Sequence, residues 1–184
     1  CAPLHLRFEI EALKYLTAEV KTNMLLLGDT GTGKTALAHV VAKYTKRKLV
    51  EILTPMLANE YYYSDSYNLE RVFSSYIKSE KPVVLLLDCI ECLGRGDIDA
   101  EQLRNTINTF ARVMRENRNP NLLVVGTSDD FGYIHKPVRE QFAAVYELER
   151  PNLQVVQRIL SICLRERNVL FADDVVVYMA SLLV

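Results

Sequence analysis

Residues 28–35 read Gly28-Asp-Thr-Gly-Thr-Gly-Lys-Thr35, which satisfies the phosphate-loop pattern G-x-x-x-x-G-K-[ST] at every fixed position. The stretch before it, Asn23-Met-Leu-Leu-Leu27, is an apolar run that predicts a buried strand. The stretch after it, Ala36-Leu-Ala-His-Val-Val-Ala-Lys43, predicts a helix. A strand, a glycine-rich turn and a helix start are the context in which this pattern binds phosphate, so we predict a nucleoside triphosphate site here.

Each residue type in this loop has a chemical reason. The glycines allow backbone angles closed to other residues and keep Cβ atoms out of the path of the phosphates. Exposed N–H groups and the helix dipole then favour an anion. We expect Lys34 to reach the β- and γ-phosphates of ATP and the Thr35 hydroxyl to bind Mg²⁺. The predicted nucleotide-binding residues are Gly28, Asp29, Thr30, Gly31, Thr32, Gly33, Lys34 and Thr35.

The composition bounds the class of protein. The chain has 184 residues, 49% hydrophobic and 24% charged, which leaves room for one α/β domain and part of a second. Its net charge is −1 and its longest basic tract is Lys46-Arg-Lys48, so nucleic acid is not the expected partner. No apolar run approaches the ~20 residues of a membrane span, and no signal peptide is visible. We expect a cytoplasmic protein and, since the chain starts at Cys1, a fragment of a longer polypeptide.

Two of the four cysteines, Cys89 and Cys92, form a C-x-x-C pair. A redox or zinc site is one interpretation, but zinc would need two more ligands, and no histidine has zinc-motif spacing. The pair also directly follows the acid at the end of an apolar strand. Reduced thiols in a cytosolic protein are the better account.

Strand and helix patterns alternate along most of the chain. The predicted strands are residues 23–27, 49–53, 82–87, 122–125 and 145–148, and the predicted helices between them are residues 34–45, 68–79, 99–117 and 136–143. This alternation predicts an α/β fold with a five-stranded parallel sheet covered by helices on both faces, as in P-loop NTPases.

The two ends of the chain have a different pattern. Residues 6–20 predict an amphipathic lead-in helix. After Pro151, residues 153–167 and 172–183 predict two helices with no strand between them, which we interpret as the start of a small helical lid. The predicted division is a lead-in segment, a nucleotide-binding α/β domain and a truncated lid, at residues 1–20, 21–150 and 151–184.

The third predicted strand ends at Asp88. An apolar strand that ends in aspartate holds a carboxylate at the carboxyl end of a parallel sheet, beside the phosphate loop. That is the position of a second acid for a nucleotide-bound Mg²⁺. We therefore predict Thr35 and Asp88 as the magnesium-binding residues.

Several stretches resemble the AAA+ ATPases. Asp88-Cys-Ile-Glu-Cys-Leu93 is similar to the family's Asp-Glu-Ile-Asp-Ala-Leu signature, and Glu70-Arg-Val-Phe73 with Ser79-Glu-Lys-Pro82 resembles the segment leading into that strand. Val124-Val-Gly-Thr-Ser128 resembles the sensor-one strand, and residues 148–163 the entry to the lid. The resemblance implies ATP and Mg²⁺ as cofactors and other AAA+ subunits as partners in a hexamer.

Within that family, residues 82–87, 93–95 and 124–128, together with residues 138–160, resemble the first, degenerate ATPase domain of peroxin-six-type peroxisome-assembly ATPases. This resemblance implies a hetero-hexamer with a peroxin-one-type subunit. It also implies a role in receptor extraction and matrix protein import, with a peripheral location on the peroxisomal membrane.

The chain departs from the AAA+ pattern at the residues that act in hydrolysis. Cys89 stands where the family has its catalytic glutamate, and a thiol does not polarise water as a carboxylate does. Glu91 fills the family's second acidic position rather than that of the base. Ser128 stands at the sensor-one position, which is usually asparagine. We therefore expect a site that holds ATP but hydrolyses it slowly or not at all.

The arginine fingers of the family are also altered. Glu140 aligns with the first finger position, and the Gly-Arg pair that should follow is missing from Arg139-Glu-Gln-Phe-Ala-Ala144. Arg139 is a candidate replacement, one residue out of register, although an ordinary surface arginine is the favoured interpretation. Arginine fingers raise the rate of related hydrolyses by roughly 1,000- to 100,000-fold, so their loss would disable a neighbouring site.

Tyr61, Tyr62 and Tyr63 fall where AAA+ domains carry the pore loop that grips substrate. Aromatic side chains there could press on a threaded polypeptide, so a protein substrate is one predicted partner. A packed surface loop or a contact within the hexamer is at least as well favoured.

Three functions compete at this point. The first is a nucleotide-holding, ring-forming module whose bound ATP stabilises assembly. The second is an active ATPase motor that remodels or threads proteins, with Glu91 or Ser128 compensating for the losses. The third, a small-molecule kinase on a P-loop scaffold, is the weakest because no arginine-rich lid follows.

Overall fold

The computed structural model describes residues 23–54, 65–93 and 100–182. Within these ranges five strands alternate with six α-helices. The strands are β1 (Met24–Leu27), β2 (Lys48–Leu53), β3 (Val83–Asp88), β4 (Leu122–Ser128) and β5 (Ala144–Glu147). The helices are α1 (Lys34–Tyr44), α2 (Asp65–Ile77), α3 (Ala100–Glu116), α4 (Lys136–Arg139), α5 (Leu153–Glu166) and α6 (Asp173–Ser181).

The five strands form one parallel sheet in the order β2-β3-β4-β1-β5. The three central strands are β3, β4 and β1, and almost all of their residues are buried. The residues of the edge strands β2 and β5 are half-buried or exposed. The α/β class and the five-stranded parallel sheet expected from the sequence are confirmed.

Helices cover both faces of this sheet. On one face α1 packs through Leu37 and Val41 against alternate residues of β1, β3 and β4. On the other face α2 and α3 pack against the opposite side of the same strands. The ring centroids of Phe73 in α2 and Phe110 in α3 lie 6.0 Å apart in a T-shaped arrangement. The site-bearing carboxyl ends of the strands are thus held by two buried apolar layers.

Strand β4 is three residues longer than the sequence predicted, because the expected strand ended at residue 125. Gly126, Thr127 and Ser128 continue the ladder, and Ser128 pairs with Leu27 of β1. Gly126 is suited to this place, since a Cβ there would lie 3.0 Å from the ring of Phe142. Helix α4 is correspondingly shorter than predicted and ends at Arg139. Phe142, inside the predicted helix, is instead buried beneath β4 and stacks with Phe110.

After β5 the chain forms α5 and α6, which pack against each other. The Asn152 side chain caps α5 by accepting a hydrogen bond from the Val155 N–H at 3.0 Å. The predicted lead-in helix, residues 6–20, lies outside the described residues. In the part of the chain that is described, no helix combines the length and the apolar character that a membrane crossing requires.

Candidate functional site: the phosphate loop and its surroundings

The phosphate loop joins β1 to α1 at the carboxyl edge of the sheet. Gly28 has φ +140° and Gly33 has φ +97°, values that side-chain-bearing residues rarely adopt. A Cβ on Gly28 would also lie 2.3 Å from the Leu148 carbonyl oxygen, so this close approach requires glycine. Gly33 directly precedes α1, whose first turn contains no acidic residue. The first N–H groups of α1 are therefore directed at the loop without a competing carboxylate on the same turn.

Lys34 folds back over the loop. Its Nζ donates hydrogen bonds to the carbonyl oxygens of Gly28 (2.6 Å) and Asp29 (3.0 Å) and to Oδ1 of Asp129 (2.7 Å). The Lys34 side chain is only 10% exposed. Because an ammonium has three N–H donors, these three contacts use its full donor capacity.

Asp129 is the residue that the sequence analysis did not single out. Besides the Lys34 contact, its Oδ2 accepts a hydrogen bond from the Thr30 hydroxyl at 2.6 Å. These two hydrogen bonds, that from Lys34 foremost, hold the pKa of the Asp129 carboxyl below its usual range. The pairing of β1 with β4 could have revealed this residue. Leu27 pairs with Ser128, so the residues that follow the two strands, Gly28 and Asp129, leave the sheet side by side.

Asp88 ends β3 and is connected to β4. The Thr127 hydroxyl donates a hydrogen bond to Oδ1 of Asp88. The same hydroxyl oxygen accepts a hydrogen bond from the Cys89 N–H at 3.2 Å. Thr127 is buried, whereas Asp88 is half-buried with its carboxylate at the sheet edge. This arrangement orients the carboxylate that the sequence predicts as a magnesium ligand.

Cys89 follows Asp88 in an unusual backbone conformation. Its φ is +57° and ψ is +54°, in the left-handed region. Burial, followed by the nearby Asp88 and Glu91 carboxylates, raises the pKa of the Cys89 thiol to about 11. The side chain is therefore a neutral thiol at neutral pH, and a neutral thiol does not withdraw a proton from water.

The structure does not bring Ser128 to the phosphate loop by a hydrogen bond. Its hydroxyl donates to the Asp130 carbonyl (3.1 Å) and accepts from the Asp130 N–H (3.2 Å), which closes a turn at the end of β4. Only 1% of Ser128 is exposed. The side chain that extends from this strand end to the loop is that of Asp129, the following residue.

The remaining predicted residues lie in different surroundings. Glu91 is half-buried in a short 3₁₀ turn, Ile90–Cys92, and its Oε2 has no hydrogen-bond partner among the described residues. Arg139 lies with its guanidinium 4.6 Å from the ring centroid of Phe131, in a cation–π contact. Tyr61, Tyr62 and Tyr63 lie outside the described residues.

Among the residues that the structure describes, the cysteine pair belongs to no group of side chains placed to hold a metal ion. Cys89, Cys92 and Cys163 are not joined in disulfides. Within residues 23–54, 65–93 and 100–182, no group of three or more His, Cys, Asp or Glu side chains is placed to hold a metal ion. A nucleotide-bound Mg²⁺ takes most of its ligands from phosphate oxygens and water, so Thr35 and Asp88 could serve it without a larger cluster of protein ligands.

Two open cavities flank the loop on the side of β5. One, of about 310 Å³, is lined by Thr32, Leu148, Pro151, Asn152 and Val155 among others. The other, of about 500 Å³, includes Gly28, Asp29 and Asp129. Between them Arg150 donates from Nε to Oδ2 of Asp29 at 2.6 Å, which ties the loop to the segment entering α5. Both volumes fall within the roughly 300–1,000 Å³ typical of ligand sites.

Comparison with known proteins identifies the family of this site. Residues 24–150 match the sequence profile of the "ATPase family associated with various cellular activities (AAA)". The chain is 24% identical to the proteasome-activating nucleotidase of Methanocella arvoryzae, over 90% of this chain and 41% of that protein. It is also 24% identical to the 26S protease regulatory subunit 6A of Caenorhabditis elegans, over 79% of this chain and 36% of that protein. The chain thus spans about two fifths of the length of these relatives.

A solved structure of RuvB from Thermotoga maritima has the same fold. It superposes with a TM-score of 0.70 at 22% identity, covering 96% of this chain and 53% of that chain. The fold agreement extends over nearly the whole chain, and the family match covers well over half of it. The chain therefore belongs to the AAA family of ATPases.

Proposed function

We propose that this domain binds ATP together with Mg²⁺ and hydrolyses it slowly or not at all. The observation that carries the proposal is the pairing of a complete phosphate loop with a neutral thiol, Cys89, directly after the Asp88 carboxylate. The phosphate loop would bind the nucleotide, and Cys89 would not act as the base that hydrolysis requires.

The residues present fit a bound nucleotide. The backbone N–H groups at the start of α1 can hold phosphate oxygens, and glycine at position 28 lets the loop pack closely against Leu148. Lys34 can exchange its present contacts for phosphate oxygens. Thr35 and Asp88 would hold Mg²⁺, with Thr127 fixing the Asp88 carboxylate. A bound Mg²⁺ would neutralise charge on the β- and γ-phosphates.

Two features weaken hydrolysis at this site, and a third would weaken it at the neighbouring site of a ring. Cys89 is a neutral thiol at the place where the family's glutamate would orient water. Ser128 is engaged in its own turn. Arg139 stacks on Phe131, which favours a local packing role over that of an arginine finger. Loss of a positioned general base alone costs on the order of 100- to 10,000-fold in rate.

The alternative is an active AAA motor domain that remodels or threads protein substrates. One observation favours it: Oε2 of Glu91 has no hydrogen-bond partner among the described residues, so this carboxylate is not committed to a structural contact through that atom. The atom is buried, however, and Glu91 lies two residues beyond Cys89 in the 3₁₀ turn.

At a finer level, we propose a role in a hexamer of the peroxisome-assembly type, with a peroxin-one-type partner, in receptor extraction. Support comes from the short motifs at residues 82–87, 93–95 and 124–128. The relatives named above are proteasome ATPases, and they support the family without supporting this branch. Residues 21–150 would be the nucleotide-binding domain, and the helices after Pro151 the beginning of its lid.

Titration calorimetry and phosphate release on the same preparation test the central proposal. We expect saturable heat with ATP and Mg²⁺ and phosphate release close to the buffer background. Absence of binding heat from monodisperse, folded protein would reject the nucleotide site. Binding accompanied by turnover on the order of 1 s⁻¹, within the ordinary enzyme range, would support the motor instead.

A further inference from the structure

The contact between Lys34 and Asp129 has a consequence for the choice of nucleotide. Lys34 Nζ is nearly buried and directs its three donors to two loop carbonyls and one carboxylate. Before this ammonium can donate to a phosphate, at least one of those bonds must break. The carboxylate is the strongest of the three partners, because it carries a full negative charge opposite to that of the ammonium.

Asp129 is held in this position from two sides. One oxygen faces Lys34 at 2.7 Å and the other accepts from the Thr30 hydroxyl at 2.6 Å. The two bonds favour the ionised carboxylate and lower its pKa, so the group carries a full negative charge at neutral pH. Both partners belong to the phosphate loop, which means that Asp129 closes over the loop from the end of β4.

A triphosphate would meet this carboxylate more directly than a diphosphate. The phosphate-loop lysine contacts the β- and γ-phosphates. A γ-phosphate would therefore come close to the Asp129 carboxylate, which contacts Lys34 in this structure. At an effective dielectric constant of 20, two like charges about 5 Å apart disfavour binding by on the order of a hundredfold. The side chain of Asp129 is half exposed, so salt and solvent will reduce this effect.

We propose that Asp129 is a selectivity residue that makes this site favour a nucleoside diphosphate over the corresponding triphosphate. The carboxylate competes with the γ-phosphate for Lys34 and repels it, so binding of a triphosphate is favoured when Asp129 turns away from Lys34. The inference rests on the proposed nucleotide binding and concerns the preference between the two nucleotides.

The test compares ADP with a non-hydrolysable ATP analogue, each with Mg²⁺, by titration calorimetry on the 184-residue chain. Asp129→Asn removes the charge and preserves the shape. We expect it to raise the affinity for the analogue relative to ADP by about tenfold. Asp130→Asn is the matched control, because it removes the same charge one residue away and can keep the side-chain oxygen that accepts from the Gly132 N–H. We expect that control to change the ratio less than twofold.

A second variant, Thr30→Val, tests the same contact without changing the charge of the site. Thr30→Val removes the hydroxyl bond to Asp129 and leaves every charge in place, so we expect a smaller rise in the same ratio. Circular dichroism melting of each variant establishes that it is folded. The inference would be overturned if the affinity for the analogue relative to ADP stayed unchanged or fell in folded Asp129→Asn. A fall would indicate instead that Asp129 lies in the environment of the bound metal. If neither nucleotide binds to wild type or variants, the proposed function itself fails.

Discussion

The buried Thr127 hydroxyl connects Asp88 to the neighbouring strand, donating to the Asp88 carboxylate and accepting from the Cys89 N–H. The Thr127 side chain thereby provides a hydrogen-bond partner both for the carboxylate of Asp88, the predicted metal ligand, and for the backbone N–H of Cys89, the residue in the base position. Because Thr127 lies on β4 and Asp88 on β3, the contact also joins the ends of two central strands beside the phosphate loop.

We expect Thr127→Val to weaken both metal-dependent binding and folding. Valine has the same shape but leaves a carboxylate oxygen and a backbone N–H without this partner, at a cost of about 1–3 kcal/mol. Residues that orient metal ligands typically contribute 10- to 100-fold in metal affinity, so Mg²⁺-dependent ATP binding should fall by about tenfold. Thr127→Ser keeps the hydroxyl and should retain most of both properties. Equal Mg²⁺ dependence in Thr127→Val and wild type, measured by calorimetry, would contradict the orienting role.

The glycines of the loop allow a matched pair of substitutions. Both Gly28→Ala and Gly31→Ala place a side chain at positive φ, but only at Gly28 would the Cβ meet backbone, 2.3 Å from the Leu148 carbonyl oxygen. Gly31→Ala should cost about 1 kcal/mol from the backbone angle alone. Gly28→Ala should cost about 3 kcal/mol because the β5–α5 segment must also move, lowering Tm by about 6–12 °C. Thermal melting by circular dichroism measures both, and similar Tm values for the two variants would show that the loop adapts.

The fold followed from local patterns, and the errors arose where pairing partners decide the structure. The apolar runs of β1 and β3 and the alternation with helices were sufficient for the parallel sheet. Residues 126–128 contain glycine, threonine and serine, which do not indicate a strand by hydrophobic pattern. They form one because β1 lies beside them and pairs with them. Helix α4 ends early for a related reason, since Phe142 is buried under β4 and not on a helical surface.

The strand, the glycine turn and the helix at residues 24–44 could be predicted from the motif and its flanks, whereas the residue facing Lys34 could not. The resemblance to the AAA+ sensor-one strand assigned Ser128 as the β4 residue that acts at the nucleotide site. The register between β1 and β4 places the following side chain, that of Asp129, against the loop. A shift of one residue changes which face of a strand a side chain occupies, so such positions need the sheet pairing as well as the motif.

Lys34→Ala should abolish nucleotide binding while the sheet stays folded. The substitution removes the cation that neutralises the phosphates and leaves Asp129 without its partner, so a carboxylate faces the loop unopposed. The half-exposed Asp129 can turn to solvent, which limits the loss of stability. Lys43→Ala, an exposed lysine in the last turn of the same helix, is the control and should bind ATP like wild type. Measurable ATP heat with folded Lys34→Ala would show that backbone N–H groups alone hold the phosphates.

Cys89→Glu tests whether the missing carboxylate is what limits turnover. We expect wild type and Cys89→Ala to release phosphate at the same background rate, because neither has a base after Asp88. Cys89→Glu should raise the rate only when a neighbouring subunit supplies an arginine, since a second copy of this chain would offer Arg139, which stacks on Phe131. A phosphate-release assay should therefore show little gain for the chain alone and a clear gain, up to about 100- to 10,000-fold, after mixing with a finger-bearing AAA subunit. A fall in the wild-type rate on Cys89→Ala would mean instead that the thiol takes part in hydrolysis.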